Sequence, residues 1–330
     1  MIYNQWYIIL ESKELKKLKP LKINRFNERL SLWRDENGSV CCIADTCCHR
    51  GASLSRGKII DGKLECPFHG FIYDKSGKVN IIPAIGKNRQ TPETMKVQAY
   101  RTFEDYGFIW VWWGEDDKIT EKPFFFTELR DFSYSSYKDH WNVHYSRAIE
   151  NQLDVVHLPF VHKTTIGRGN KTLVNGPVVI RENELITFYV NNIVDDGNTV
   201  PLKPDEIIDY KDLFHLQFHY PNIWQNYISD KIRAFAAFVP VDEENTIIYI
   251  RYYQNLIKIP LLKWIMNYLG KISSIIILRQ DKRVVITQLP KKVGLKIDEH
   301  LIMGDKPIIE YRKHRQELIE SNSGNSVKDY

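Results

Sequence analysis

Residues 47–49, Cys47-Cys48-His49, and residues 66–69, Cys66-Pro67-Phe68-His69, decide the reading of the N-terminal part of this chain. Written as a pattern they are C-x-H, sixteen residues, then C-x-x-H. Cys47 and His49 are two apart, so in extended backbone they project to the same side. Gly51 and Gly70 follow the two halves and permit tight turns. Two thiolates and two imidazoles can therefore meet at the tips of two loops. A tetrahedral zinc ion could take four such ligands, but zinc sites usually pair a C-x2–4-C half with an H-x3–5-H half. Here each half brings one Cys and one His. That mixed set suits a [2Fe–2S] cluster with two Cys on one iron and two His on the other. All five cysteines (Cys41, Cys42, Cys47, Cys48, Cys66) lie in one 26-residue window. An odd number bunched in one place is a poor disulfide framework and a better metal site.

The text around these positions, Cys48-His49-Arg50-Gly51-Ala52 and Cys66-Pro67-Phe68-His69-Gly70, resembles the Rieske family over about residues 5–114. The resemblance implies that Cys47, His49, Cys66 and His69 ligate a [2Fe–2S] cluster. Rieske proteins of respiratory and photosynthetic chains carry two further cysteines that bridge the cluster loops. One of these lies between the second Cys ligand and its His. Phe68 occupies that position here, so the chain resembles instead the lower-potential Rieske domains of oxygenases and ferredoxins. Cys41 and Cys42 are expected as strand or core residues, and Cys48 as a loop residue between ligands.

A second constellation follows in Glu150-Asn151-Gln152-Leu153-Asp154-Val155-Val156-His157-Leu158-Pro159-Phe160-Val161-His162. Asp154 and His157 are three apart and would share a face of a helix. His162 is five residues beyond His157, about 140° further round a straight helix. Pro159 lies between them and cannot continue the ladder, so the helix is expected to break there and let His162 swing back. Two His and one carboxylate on one face, the other face open, is the arrangement of non-haem Fe(II) oxygenases. The run resembles the iron-binding segment of Rieske non-haem iron oxygenases. That resemblance implies His157 and His162 as iron ligands. It takes the third ligand from text like Leu278-Arg279-Gln280-Asp281-Lys282-Arg283, which makes it Asp281. It also implies that Asp154 stands behind His157 and reaches His69 of the partner subunit. Asn151 is a further candidate near the iron. His140 and His144 are expected to be helix-surface or packing residues. His215 and His219 share one face of a strand and are expected to be sheet residues rather than pocket residues.

Outward from the two motifs, the chain divides. At 330 residues and 38.9 kDa, about 150 residues per domain gives two domains. Residues 1–115 are rich in short aromatic and β-branched runs. Turn signals at Glu36-Asn37-Gly38, Asp61-Gly62 and Lys75-Ser76-Gly77 punctuate them, as in a small sandwich or barrel. The charged run Glu115-Asp116-Asp117-Lys118 marks the boundary. Residues 116–330 read as a catalytic domain with helices over His140–Val156, Ile257–Gln288 and Pro307–Glu320. Strands span Leu173–Tyr253 and a disordered tail is expected over Ser321–Tyr330. The fold class is α+β: an all-β [2Fe–2S] domain, then an antiparallel sheet with helices on one side, of helix-grip type. A net charge of +5 with no basic tail gives no support for nucleic-acid binding. Absence of a signal-like N-terminus suggests a cytoplasmic chain. The apolar stretch Leu256–Leu278 is broken by Lys258, Pro260, Lys263, Gly270 and Lys271. No membrane partner is therefore expected, with a surface-lying helix as the lesser reading.

The resemblance implies the terminal component of a Rieske oxygenase, of the group that includes vanillate and dicamba demethylases and pheophorbide oxygenases. Its cofactors would be a [2Fe–2S] cluster and Fe(II), with O2 as co-substrate. Its partners would be an NAD(P)H-dependent reductase, a ferredoxin or both, and a small organic molecule to hydroxylate or demethylate. Mono- and dioxygenation both stay open. A homotrimer is expected. The alternative is an electron-transfer protein with no oxygenase chemistry.

Overall fold

The structure, a computed structural model, describes residues 1–322 and divides into two units. One comprises Tyr3–Pro123; the other comprises Phe124 onward together with Met1 and Ile2. The segment after Gly114 belongs with the first unit, where the Trp6 indole N–H donates to the Thr120 carbonyl over 3.2 Å.

The first unit is all β apart from single 3-10 turns. Its strands are β1 (Gln5–Glu11), β2 (Leu21–Arg25), β3 (Glu28–Arg34), β4 (Val40–Ala44), β5 (Lys58–Ile60) and β6 (Lys63–Glu65). They continue with β7 (Ile72–Tyr73), β8 (Val79–Ile81), β9 (Ala99–Tyr100), β10 (Thr102–Asp105) and β11 (Phe108–Trp113). Three antiparallel sheets result, ordered β1-β11-β10, β2-β3-β4-β9 and β5-β6-β7-β8. The turn signals lie where the sequence reading put them. Gly38, Gly62 and Gly77 all have φ between +70° and +82°, the region that only glycine enters without strain. Cys41 and Cys42 are buried on β4.

The second unit is a seven-stranded antiparallel sheet. Its strands are β12 (Ser133–Trp141), β13 (Leu173–Glu182), β14 (Leu185–Ile193), β15 (Phe214–His219), β16 (Ile223–Ser229), β17 (Ile232–Pro240) and β18 (Thr246–Gln254). The order is β12-β18-β17-β16-β15-β14-β13, so the strand that enters the unit first pairs with the last. Helices α1 (Tyr145–Leu153), α2 (Leu158–Val161), α3 (Pro260–Val285) and α4 (Lys306–Asn322) complete it. One core holds Trp141, Ile149, Leu153, Phe188, Phe218, Phe238, Leu278 and Tyr311, joining sheet and helices.

Three expectations are corrected. The helix expected over His140–Val156 is only Tyr145–Leu153. His140 lies on β12 opposite Ile247, and His144 caps α1 by accepting from the Ser146 backbone N–H. β-Branched Thr246, Ile247 and Ile248 on the facing strand favour pairing over a helix there. The break between Asp154 and His162 does not arise at Pro159. Asp154 Oδ1 accepts from the backbone N–H groups of Val156 and His157 at 2.7 and 3.2 Å, a side-chain bond that competes with the helix ladder. Pro159 instead opens α2, where its missing N–H has no partner to lose. Ser321 and Asn322, expected in a disordered tail, belong to α4; the rest of that stretch lies outside the described residues.

A buried ion network ties α1 to α4. Glu150 accepts from Arg312 at 2.6 and 2.9 Å and from Arg147 at 3.0 Å. Burial pushes the Glu150 carboxyl up, against the pull of both arginines. Glu299 also pairs with both arginines, so Glu150→Ala leaves them partly met and is expected to cost about 3 kcal/mol in denaturant unfolding, the low end for breaking a buried pair. Removing the exposed Arg181–Glu317 pair, 2.8 Å apart, should change stability by less than about 1 kcal/mol.

Candidate functional site: two metal centres

The first unit carries two loops of matching build. In one, Cys47 N–H donates to the Ala52 carbonyl and Gly51 N–H to the Cys47 carbonyl, at 2.8 and 2.9 Å. In the other, Cys66 N–H donates to Phe71 and Gly70 N–H to Cys66, at 2.8 and 3.1 Å. Gly51 and Gly70 close them at φ +73° and +70°. The loops bury Cys47 and Cys66 and leave His49 and His69 exposed. The two imidazoles lie side by side, ring centroids 4.6 Å apart, with His49 stacked on Phe71. Tyr73 Oη stands 3.0 Å from Cys47 Sγ and 3.1 Å from the Cys48 amide, to which it is the acceptor. Burial pushes the Cys66 thiol up, while the backbone N–H groups of Phe68 and His69 pull it down.

Sulfur within, imidazole without, and N–H donors aimed at sulfur is the donor set of a mixed-ligand [2Fe–2S] cluster. A single tetrahedral zinc ion needs its ligand atoms gathered round one point. Among the described residues, the three side chains whose donor atoms all lie within 4.8 Å of one another are His157, His162 and Asp281, and the four loop residues do not gather so. Cys41 has no part in the loops; burial pushes its thiol up to about 12, as for an inert packing thiol.

The second unit brings the other expected residues together. His157 Nε2 and His162 Nε2 lie 3.3 Å apart, and Asp281 Oδ1 stands 3.4 Å from the first and 2.9 Å from the second. Ligand bonds of about 2.1 Å at right angles put donor atoms roughly 3 Å apart. The three atoms therefore span one face of a coordination sphere, the pattern of a two-histidine, one-carboxylate iron site. Asp281 is 2% exposed and His162 1%. α3 delivers Asp281, while α2 with its flanking residues delivers both histidines. Burial alone would lower His157, but the Asp154 and Asp281 carboxylates hold it up at about 9. Burial alone would raise Asp281, and the two imidazoles bring it below the ordinary carboxylate range. The cluster favours a positive guest, proton or metal.

Supporting residues set the ring orientations. Asp154 Oδ2 stands 3.5 Å from His157 Nδ1, which turns Nε2 toward Asp281. His162 Nδ1 pairs with Gln280 Oε1 at 2.8 Å, and Gln280 is held in turn by Thr165 at 2.9 Å. A nitrogen that donates N–H on one side leaves the other nitrogen free to ligate. Gln280 has no signal in sequence beyond its place next to Asp281. Asp154 and His157 meet through the turn at Val155–Val156, not across a shared helix face.

The three donors open on a cavity of about 710 Å³. Its apolar wall includes Val190, Leu216, Trp224, Ile250 and Leu278. Asn151 lines it too, with its Nδ2 buried and unpaired. Trp224 Nε1, Asn192 Oδ1 and Asn226 Oδ1, also on this wall, are likewise buried without partners. His215 and His219 do not line it: His215 stacks on Tyr227 and His219 on Phe124.

Comparison with known proteins bears on both units. Residues 5–101 match the Rieske [2Fe-2S] domain, and residues 141–321 match the vanillate O-demethylase oxygenase C-terminal domain. The chain is 28% identical to methylxanthine N1-demethylase NdmA of Pseudomonas putida over 335 aligned positions, covering 97% of this chain and 90% of that one. The solved NdmA structure superposes with a TM-score of 0.80 at 25% identity, over 97% of this chain and 91% of that one. The vanillate O-demethylase oxygenase subunit of a Pseudomonas strain is 32% identical over 197 residues, 58% of this chain and 54% of its own length. Several curated relatives are matched over about half of their length or less. Dicamba monooxygenase, 19% identical with a TM-score of 0.73 over 98% of this chain and 99% of its own, shares the fold. A Rieske domain over both Cys–His loops, followed by a vanillate O-demethylase oxygenase C-terminal domain that alone matches more than half of the chain, places this protein in the Rieske oxygenase family.

Proposed function

We propose that this chain is the terminal component of a Rieske oxygenase that hydroxylates or oxidatively demethylates a small organic molecule. The observation that carries this is the set of three converging donors, His157, His162 and Asp281, in the wall of an apolar cavity. Those three would hold Fe(II), and Cys47, His49, Cys66 and His69 would hold the [2Fe–2S] cluster. When bound, the cluster supplies electrons singly and the iron supplies the position at which O2 is reduced. Each monooxygenation turns one C–H into C–OH and one oxygen atom into water, consuming two electrons and two protons. A hydroxylated methyl group on O or N then leaves as formaldehyde, the outcome that the names of the vanillate and methylxanthine relatives support.

The chain's own residues prepare that chemistry. Asp154 and Gln280 hold the two imidazoles with Nε2 toward the common point. The apolar wall excludes water from it. Asn151, Asn192, Trp224 and Asn226 add polar side chains to that largely apolar wall. The substrate that fits is a largely apolar body with a few polar atoms, because the wall is mostly apolar with a few polar side chains. Electrons would come from a separate NAD(P)H-dependent reductase, directly or through a ferredoxin. We further assign Asp154 a contact with His69 of the partner subunit in a homotrimer, on the resemblance to the family; a closed head-to-tail ring supplies each Asp154 with such a neighbour.

Reconstituted wild type is expected to hold about three irons per chain, two in the cluster and one at the histidines. His162→Ala or Asp281→Ala should lower this to about two, keep the visible absorbance of the cluster and abolish product; Cys66→Ser should lose the absorbance instead. A wild type with two irons and no oxygen uptake with any substrate would make the chain an electron carrier.

Iron binding should tighten as pH rises. His157 keeps its proton to about pH 9 without metal, and a ligand must shed that proton to bind. Calorimetry in buffers of different ionisation enthalpy should show proton release on Fe(II) binding, with affinity increasing from acid toward pH 9. Asp154→Asn removes the charge behind His157. It is expected to weaken iron roughly 10–100-fold, as loss of a ligand's supporting carboxylate does, with the cluster spectrum unchanged.

A further inference from the structure

We propose that the outer face of α3 is a docking surface for an anionic lipid bilayer. The helix is long and apolar enough, by length and composition alone, to cross a membrane, yet it cannot leave the protein to do so. Ser135 Oγ donates to the Asn267 carbonyl over 2.7 Å, and Lys282 pairs with Asp139 at 3.0 Å. A Cβ at Gly270 would lie 2.2 Å from the Tyr252 ring, so helix and β18 touch at that point. Asp281 on the same helix is fixed in the iron-site cluster. The inward face is thus committed to the sheet and cavity, and only the outward face remains.

That outward face is apolar. Leu261, Trp264, Tyr268 and Leu269 are 67%, 64%, 52% and 58% exposed, and Leu262, Ile265, Ile272 and Ile276 are exposed beside them. At 100° per residue these eight fall within one arc, opposite Gly270, Ser274 and Asp281. Isolated exposed apolar residues need no explanation, but a contiguous stripe of this kind marks a binding surface. The stripe is an order of neighbours, Leu261, Ile265, Tyr268, Ile272 and Ile276, at helical spacing.

The charge pattern chooses the occupant. Residues 245–280 contain no Asp or Glu. Lys258, Lys263, Lys271, Arg279 and Arg283 lie along or beside the helix, and none has an ion-pair partner among the described residues. A second copy offering the same face would bring cation against cation. An anionic bilayer accepts all three features together: aliphatic side chains for the acyl boundary, stacked Trp264 and Tyr268 (ring centroids 5.8 Å apart) for the headgroup level, and flanking lysines for phosphate. Surface docking departs from the sequence expectation of no membrane contact, but is compatible with a cytoplasmic chain. It goes beyond the oxygenase reading and does not depend on it. If both hold, one helix separates lipid from the cavity, and bilayer-dissolved substrates have a short route in.

The test is flotation of the purified full-length chain with vesicles, without any turnover assay. One set of vesicles is phosphatidylcholine alone and the other an equal mixture with phosphatidylglycerol. The chain is expected to float with the anionic vesicles, at least roughly tenfold more weakly with the neutral ones, and to be released by molar salt, which screens charges beyond about 3 Å. The double variant Leu261→Ser with Ile265→Ser should lose binding roughly tenfold or more, because each removes buried apolar surface. Lys258→Gln with Arg283→Gln should weaken anionic binding and leave neutral binding unchanged. All four positions are outside the cavity wall, and circular dichroism together with iron content checks that each variant is folded. No flotation of a folded wild type, or flotation unaffected by either double variant, overturns the proposal. So does a wild type that self-associates through this face, shown by gel filtration, and becomes smaller in the serine variant without ever binding vesicles.

Discussion

Asp281 is 2% exposed, and a carboxylate taken out of water is costly unless positive charge and hydrogen bonds meet it. Most of the second unit's local architecture can be traced to that requirement. Two imidazoles must be brought to one carboxylate oxygen, so the chain between them has to fold back within five residues. Asp154 does this by capturing two backbone N–H groups, ending α1 and starting α2 in the same turn. Its other oxygen then faces the His157 ring. One aspartate both breaks the helix and aims the ligand. Gln280, one residue before Asp281, does the equivalent for His162. The resulting cluster is electrostatically incomplete without a cation, and it opens on a largely apolar cavity.

The first unit solves a different problem with a repeated device. Each loop has the same pair of backbone hydrogen bonds and the same glycine geometry. The repeat places one sulfur inward and one imidazole outward from each half. Burial penalises a thiolate, and the backbone N–H donors beside Cys66 offset part of that by meeting its charge without water. The imidazoles of His49 and His69 stay at the surface. The division of ligands by exposure thus follows from what each ligand needs.

α3 joins the site to the outer surface. A helix that carries a ligand into a buried cluster normally hides its apolar residues against the same core. Here the inward face meets the cavity through Gly270, Ser274 and Asp281 beside Leu278, while most of the helix's large apolar residues point outward. Apolar residues on both faces are why periodicity alone gives no clean amphipathic signal over the segment, and why solvent exposure in the fold was needed to tell the faces apart.

The sequence by itself determined what local chemistry can specify. The spacing of Cys47, His49, Cys66 and His69 demands two loop tips, because thiol and imidazole geometry leaves few alternatives. The glycines at 38, 62 and 77 sit in turns because only glycine enters that backbone region freely. The all-β start and mixed second part were legible from alternation and turn residues. Tertiary structure decided the rest. Residues 140–144 join a strand and a cap because β18, more than a hundred residues later, offers a β-branched partner. Asp154 ends its helix through its own side chain, a choice that propensity cannot rank against the neighbouring proline. Asp281 reaches two histidines nearly 120 positions earlier only because the sheet brings α3 back over α2. Asn151, Asn192, Trp224 and Asn226 became visible as one wall only once three separate elements were packed, since burial and hydrogen-bond satisfaction are properties of the assembled fold and of no segment within it.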